Sequence, residues 1–237
     1  MRVLFLGDIV ARSGRTVVSK ELPSLRRALK LDFVVANAEN AAHGFGITEK
    51  ICGELFEIGV DVITGGNHSW DKSEIIPYIS QEKRLLRPLN LPADTPGRGM
   101  GIYIDGSGRK IKVINIMARL FMELLDDPFS ALEGELPLGT PKSAGFEAII
   151  VDVHGEATLR KQFLAITNTE LTAKQLHHLL RCTCVGKRPP LLGVFWRPSC
   201  VHDSGKFIVG HGEEREGFVV LQHGVESRHV LPNQLAL

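Results

Sequence analysis

The sequence predicts an α/β fold, because short apolar stretches alternate with helical patterns along the first 80 residues or so. This β-α-β-α-β order predicts parallel strands joined by right-handed crossovers. A second observation modifies the first, since the turn Asp105-Gly106-Ser107-Gly108 separates two further strands and is typical of a hairpin. Antiparallel pairing after parallel units indicates a mixed sheet, or a second sheet packed on the first.

Each helix and strand is predicted from the spacing of its apolar residues and from the capping or helix-breaking residues at its ends. Thr48 is a helix cap, Asp127-Pro128 begins a short helix, and Pro23 and Pro77 are expected to kink or interrupt their helices. The predicted strands are 2–7, 33–36, 60–64, 101–104, 111–116 and 147–153. The predicted helices are 15–29, 48–59 and 72–80. Beyond residue 162 the pattern weakens, and we expect a helix within 164–180 and strands at 194–196, 207–209 and 218–221.

Size and composition limit the classes of function. The 237 residues, 43% of them hydrophobic, suit a single domain with a proper core. A net charge of +1 gives no general attraction to nucleic acid or to an anionic membrane. Four scattered cysteines, no signal peptide and no long apolar run predict a cytoplasmic protein outside the membrane.

Polar side chains follow four of the predicted strands. They are Asp8, Glu39, Asn40, Asn67, His68 and His154. Because ligands lie outside the carboxyl ends of the strands in open α/β sheets, one parallel sheet would gather these side chains at a single edge. Carboxylate, amide and imidazole groups together suit one or two divalent metal ions. The pattern therefore predicts an enzyme that carries out metal-assisted hydrolysis.

Each of these residues also has an ordinary alternative role. Asp8 could cap a helix, Glu39 and Asn40 could form a polar turn, and His154 could be a hydrogen-bonded core histidine. Asn67 and His68 follow two glycines directly after a strand, which permits an unusual turn and is the strongest local signal.

Seven segments together resemble one known family. They are GDIV (7–10), NAENAAHGFGIT (37–48), GVDVITGGNHSWDK (59–72), LLRPLNLP (85–92), TPGRGMGIY (95–103), FMELLDDPF (121–129) and VDVHGEAT (151–158). Residues 1 to about 162 are similar to the YmdB-like family of calcineurin-type metallophosphoesterases, which resemble 2′,3′-cyclic nucleotide phosphodiesterases.

The resemblance implies a sandwich of two mixed β-sheets flanked by helices, with two divalent ions, iron or manganese. It implies the metal ligands Asp8, Glu39, Asn67 and His154, with Glu39 bridging the ions and Asn40 beside the first. It makes His68 the acid that protonates the leaving group after attack by a metal-activated hydroxide. The expected substrate is a small cyclic nucleotide, with RNA ends as an alternative, and the expected assembly is a homo-oligomer.

The last third of the chain departs from this family. The family completes its metal site with Gly-Thr-His-Thr-His, and no His-x-His occurs anywhere in this sequence. Replacement ligands could be His211 with Glu213, or less easily His177 with His178. Four side chains could instead hold a structural zinc ion, namely Cys182, Cys184, Cys200 and His202.

Three interpretations follow from this departure. A change of reading frame near codon 162 would produce a join of this kind. The chain could then be a catalytically impaired binding module that lacks the carboxyl-terminal ligands. A more remote alternative is a phosphate-binding α/β protein with one metal and a different reaction.

Overall fold

The computed structural model describes residues 1–119, 125–138 and 140–155, together with the backbones of three later strands. The strands are β1 (Arg2–Leu6), β2 (Phe33–Asn37), β3 (Val62–Thr64), β4 (Leu85–Leu86), β5 (Met100–Ile104), β6 (Lys110–Met117), β7 (Ala148–His154), β8 (Leu164–Thr167), β9 (Phe207–His211) and β10 (Gly217–His223). The helices are α1 (Ala11–Ala28), α2 (Glu49–Glu57), α3 (Ile75–Gln81) and α4 (Pro128–Glu133), with a 3₁₀ turn at Lys142–Ala144.

The strands form two five-stranded sheets. The first has the order β4-β3-β2-β1-β9, in which β9 alone runs antiparallel to its neighbour. The second has the order β5-β6-β7-β10-β8, with β6, β7 and β10 parallel and an antiparallel strand at each edge. The predicted fold class, two mixed sheets flanked by helices, is therefore confirmed.

Alternation along the strands divides the core into three layers. Leu4 and Leu6 face the helices α1, α2 and α3, whereas Phe5 belongs to the layer between the two sheets. Ile111 and Val113 of β6 meet Phe5 in that layer, and Ile150 of β7 joins them. Outside the second sheet, α4 covers a third layer. At the carboxyl ends of the strands, polar residues take the place of apolar ones in the layer between the sheets, and these polar residues include the candidate site.

Pro23 does not restart its helix, and the expectation that Pro77 interrupts its helix was wrong. Helix α1 begins at Ala11 and runs through Pro23 to Ala28 without ending there, because Val18 and Leu22 bury its apolar face. Pro77 lies in the first turn of α3, where a missing N–H costs nothing, so it does not interrupt the helix. The predicted Thr48 cap is confirmed, since its hydroxyl accepts a hydrogen bond from the Ile51 N–H.

The later part of the chain gives mixed results. The strands predicted at 207–209 and 218–221 are present as β9 and β10. The helix expected within 164–180 is wrong at its start, because residues 164–167 form strand β8 against β10. The strand expected at 194–196 lies outside the described residues. No helix in the described part of the chain is both long enough and apolar enough to cross a membrane.

Candidate active site

The predicted site residues converge, but they come from two sheets. Strands β1, β2 and β3 are parallel neighbours, so the residues that follow them emerge at one edge of the first sheet. His154 instead ends β7 in the second sheet, between β6 and β10. The expectation of one sheet edge was therefore wrong for His154, because face-to-face packing brings the carboxyl ends of two separate sheets together.

Glu39 lies at the centre of a buried polar cluster. The Asn40 amide donates from Nδ2 to Oδ2 of Asp8 at 2.9 Å and to Oε1 of Glu39 at 3.2 Å. Glu39 and Asn40 are only 1% and 4% exposed, although Asp8 is half-buried. This half of the cluster therefore brings two carboxylates and one amide together at the ends of β1 and β2.

His154 extends the cluster to the second sheet. Its Nε2 lies 3.2 Å from Oε1 of Glu39 and 2.8 Å from Oδ1 of Asn67. The backbone N–H of His68 donates to Oε2 of Glu39 at 3.4 Å. All six residues predicted from the sequence are thus linked in one continuous set of contacts around the Glu39 carboxylate.

Gly66 allows this cluster to close. A Cβ atom at that position would lie 1.9 Å from Oε2 of Glu39 and 2.7 Å from Cδ2 of His154, far inside contact distance. The turn is fixed by Ser69, whose hydroxyl accepts from the Gly66 N–H at 3.0 Å and donates to the Gly66 carbonyl at 2.7 Å. Only glycine lets the backbone approach a carboxylate and an imidazole this closely.

A second group of buried polar residues forms hydrogen bonds with the Gly65-Gly66 turn. Asn37 and Asn115 each donate from Nδ2 to the Gly65 carbonyl oxygen at 3.0 Å. Asn37 also reaches Oδ2 of Asp152 at 3.4 Å, and Asn115 reaches the Leu86 carbonyl at 3.3 Å. These residues continue the layer between the sheets, where they replace apolar side chains with hydrogen bonds across the interface.

The sequence reasoning missed Asn115 as a site residue. The signal was present, since Asn115 is the one uncharged polar residue in the apolar strand KIKVINIM. A fully buried amide in such a strand needs partners, and its register opposite Asp152 aligns it with the site.

His68 lies at the accessible side of the cluster. Its Nδ1 is 2.6 Å from Oδ2 of Asp71, and its side chain is 24% exposed. The carboxylate of Asp71 holds one ring nitrogen, which leaves Nε2 for proton transfer. The ring of Phe45 packs edge-on against the imidazole, with 5.1 Å between the ring centroids. Sequence reasoning singled out His68 but not these two neighbours.

The donor atoms of the cluster suit divalent metal ions. Two carboxylates, two amide oxygens and an imidazole match hard to borderline ions such as manganese and iron. Oδ1 of Asn40 is buried without a hydrogen-bond partner, as expected of an oxygen that ligates a cation. Within the described residues, no group of three or more His, Cys, Asp and Glu side chains is arranged to hold a metal alone. Metal binding here would therefore depend on the amide oxygens as well.

The backbone register decides against one proposed replacement ligand. His211 pairs with Arg2 at the beginning of β1, while Phe207 pairs with Leu6 at its end. His211 therefore lies about 13 Å or more along the strand from the edge that carries Asp8. The proposal that His211 completes the site is wrong for this reason. The other candidates, His177, His178, Cys182, Cys184, Cys200, His202 and Glu213, lie outside the described residues.

A different histidine takes a position at the site edge. The backbone of His223 ends β10 and pairs in register with His154 on the parallel strand β7. Register partners occupy the same face of a sheet. The sequence reasoning predicted this strand but stopped at Leu221, two residues before the polar end of the strand.

Comparison with known proteins agrees with this architecture. The 2′,3′-cyclic-nucleotide 2′-phosphodiesterase of Bacillus subtilis (strain 168) is 44% identical over 161 residues, which are 68% of this chain and 60% of that protein. A hypothetical protein from Thermus thermophilus has a crystal structure with a TM-score of 0.60 and 40% identity, covering 68% of this chain and 60% of the other. A phosphatase from Mycoplasma pneumoniae has a TM-score of 0.59 and 30% identity, covering 67% and 56%.

The chain thus spans about 60% of the length of these relatives. The model of the family described as YmdB-like protein matches residues 4–173, which include every residue of the cluster around Glu39. The resemblance inferred from the sequence motifs is therefore confirmed, and the chain belongs to the YmdB-like family.

Proposed function

We propose that the protein is a metal-dependent phosphodiesterase that hydrolyses small cyclic nucleotides such as 2′,3′-cyclic AMP. The observation that carries the proposal is the convergence of four other potential ligand side chains around the buried carboxylate of Glu39, namely those of Asp8, Asn40, Asn67 and His154. The name of the Bacillus subtilis relative supports the substrate class. Sparse cysteines favour a cytoplasmic location, and RNA ends remain an alternative substrate within the same chemistry.

The arrangement suggests how two ions would be shared. Asp8 and Asn40 lie on one side of Glu39, and Asn67 and His154 lie on the other. Glu39 contacts both halves, so its carboxylate is the group suited to bridge two cations. When bound, two divalent ions would neutralise charge on the phosphoryl oxygens and activate a water molecule at neutral pH.

His68 is suited to the role of general acid. An alkoxide leaving group needs a proton, and a positioned imidazole supplies it efficiently near neutral pH. The bond to Asp71 orients the ring, and the backbone N–H of His68 is tied to Glu39. The proposed proton donor is therefore a ring oriented by Asp71 on a residue whose backbone is held at Glu39.

The described strands of the carboxyl-terminal third offer one candidate ligand. The backbone of His223 holds the register position beside His154, which makes His223 a candidate to contribute a further imidazole. This assignment stands apart from the rest of the proposal, which depends only on residues 8–154.

The second candidate function is an impaired metallophosphoesterase that binds nucleotides without hydrolysing them. It is favoured by the absence of His-x-His from the sequence. Fewer imidazoles should weaken metal affinity, since each ligand contributes to holding the ion.

Metal analysis combined with turnover separates these candidates. The purified full chain is loaded with manganese, its metal content is measured by mass spectrometry, and hydrolysis of 2′,3′-cyclic AMP is followed. We expect the parent protein to bind metal and to hydrolyse the substrate. His68→Ala should keep its metal but lose about 10²- to 10⁴-fold in kcat. Glu39→Gln should lose metal. Bound nucleotide without turnover in the metal-loaded protein would instead establish the binding module.

A further inference from the structure

One exposed aromatic side chain lies beside the proposed acid. Among the described residues, six large hydrophobic side chains are exposed, and Phe45 is the only aromatic one. Phe45 as a whole residue is 57% exposed, although its ring contacts His68 at a centroid distance of 5.1 Å. A residue that served only to pack against the imidazole could bury its ring, so the open ring surface calls for another explanation.

The backbone holds Phe45 in a fixed and unusual position. Three of its neighbours adopt positive φ angles, namely His43 at 61°, Gly44 at 98° and Gly46 at 75°. Gly44 and Gly46 adopt their angles without steric cost, but the positive φ of His43 is unfavourable for a residue with a side chain and persists only where surrounding contacts enforce it.

Hydrogen bonds supply that enforcement. The Ala42 N–H donates to the Gly46 carbonyl at 2.8 Å, and the Gly44 N–H donates to the Asn40 carbonyl at 3.2 Å. Gly46 lies against Lys72, whose Cγ would be 3.0 Å from an added Cβ. The loop is thus tied to Asn40 on one side and to the His68 turn on the other.

We propose that Phe45 is a specificity-determining residue whose ring stacks on the nucleobase of a nucleotide bound at this site. The proposal rests on the proposed function for the position of the phosphate, which would lie beside His68. In a nucleotide one ribose separates the phosphate from the base, so the base would lie next to the side chain that adjoins His68. A flat apolar ring that is fixed in space and open to solvent is what base stacking requires.

Equilibrium binding tests the proposal without turnover. The probes are adenosine 3′-monophosphate and methyl β-D-ribofuranoside 3-phosphate, in which a methoxy group replaces the base on the same furanose ring. Each is titrated calorimetrically into the full chain with manganese. In the parent protein the adenine ring should strengthen binding by about five- to 150-fold. Phe45→Ala and Phe45→Leu should bring the two dissociation constants together, while Phe45→Trp should keep them apart. Ile104→Ala, at another exposed apolar position on the edge strand β5, is the matched control and should leave the ratio unchanged.

The outcomes separate this inference from the proposed function. An adenine-dependent affinity that disappears in Phe45→Ala supports stacking even if the protein turns over no cyclic nucleotide. Equal weakening of both ligands in Phe45→Ala, or no adenine effect in the parent protein, overturns stacking even if hydrolysis is observed. If neither phosphate binds, stacking is overturned, and hydrolysis of 2′,3′-cyclic AMP decides the proposed function on its own. Thermal unfolding of each variant confirms that the loop substitution leaves the fold intact.

Discussion

Asn115 and Gly65 are joined across the two sheets by a hydrogen bond of 3.0 Å from the Asn115 side-chain amide to the Gly65 carbonyl oxygen. Asn115 belongs to β6 in the second sheet, and Gly65 follows β3 in the first. The bond therefore ties the relative position of the sheets to the turn that presents Asn67 and His68.

Replacing Asn115 by leucine, which has a similar shape, removes the donor to Gly65 and Leu86. We expect the free energy of unfolding to fall by about 1–3 kcal/mol, because a buried carbonyl loses its only described side-chain partner at Leu86. Urea denaturation measures this change. A shift within about 0.5 kcal/mol would match an ordinary surface substitution and would contradict a structural role.

Gly66→Ala should damage the cluster directly. Its Cβ would fall 1.9 Å from Glu39 Oε2, so the turn or the carboxylate must move. We expect lower manganese content and lower turnover, measured on the same samples. Gly53→Ala is the matched control, because a Cβ there meets nothing within 4 Å. That control should keep activity and gain about 0.5–1 kcal/mol of stability, as glycine is unfavourable within a helix.

Asp71→Asn tests the partner of the proposed acid. The amide keeps the shape but removes the negative charge 2.6 Å from the His68 imidazole. We expect kcat to fall, but by less than the loss of about 10²- to 10⁴-fold expected for His68→Ala. Metal content should not change. Asp94→Asn, at an exposed position, is the control, and a metal loss in Asp71→Asn would argue instead for a role in the metal cluster.

Arg109→Gln tests a charge cluster at the other end of the molecule. Burial tends to raise the pKa of both Asp32 and Asp105, but hydrogen bonds from Arg109 and from backbone N–H groups outweigh it and lower both pKa values. A lowered pKa in the folded state stabilises the protein above the unfolded-state pKa of about 4, and that contribution disappears as the pH falls further.

The variant should therefore be less stable than the parent at pH 7, by about 1–3 kcal/mol. The difference should shrink as the pH falls below about 4. Urea denaturation between neutral and acidic pH measures both effects. Lys110→Gln, at an exposed adjacent position, is the control. A difference that grew toward acidic pH would contradict the assignment.

His223→Ala asks whether the carboxyl-terminal third contributes to metal binding. If His223 supplies an imidazole beside His154, the variant should lose manganese affinity. Gln222→Ala is the matched control, since Gln222 pairs with Val153 and so belongs to the opposite face of the strand. Unchanged metal content in both variants would remove His223 from the ligand set.

Features that depend only on residues close together in the chain could be predicted from the sequence. The position of Asp8 just after β1, the Thr48 cap of α2 and the Gly65-Gly66 turn could each be predicted from neighbouring residues. The turn Asp105-Gly106-Ser107-Gly108 also predicted the hairpin of β5 and β6.

Relationships between distant residues were beyond the same reasoning. Whether β7 joins the first sheet or the second depends on its pairing with β6 and β10, and no local pattern contains that information. The assignment of His154 to a single sheet edge failed for this reason. Strand β4 has only two residues, Leu85 and Leu86, which is too short for any periodicity. Asn115 escaped notice because its partners lie 29 and 50 residues away along the chain.

The pairing of β9 with β1 and of β10 with β7 has a consequence for biosynthesis. The ribosome makes β9 and β10 well after β1 and β7, so the backbone hydrogen-bonding groups that these late strands cover stay unpaired until then. In that interval the unpaired backbone of β1 and β7 offers a template to other nascent chains. We therefore expect the need for chaperones and the sensitivity to truncation to depend on the exposed backbones of β1 and β7, and not on the side chains around Glu39.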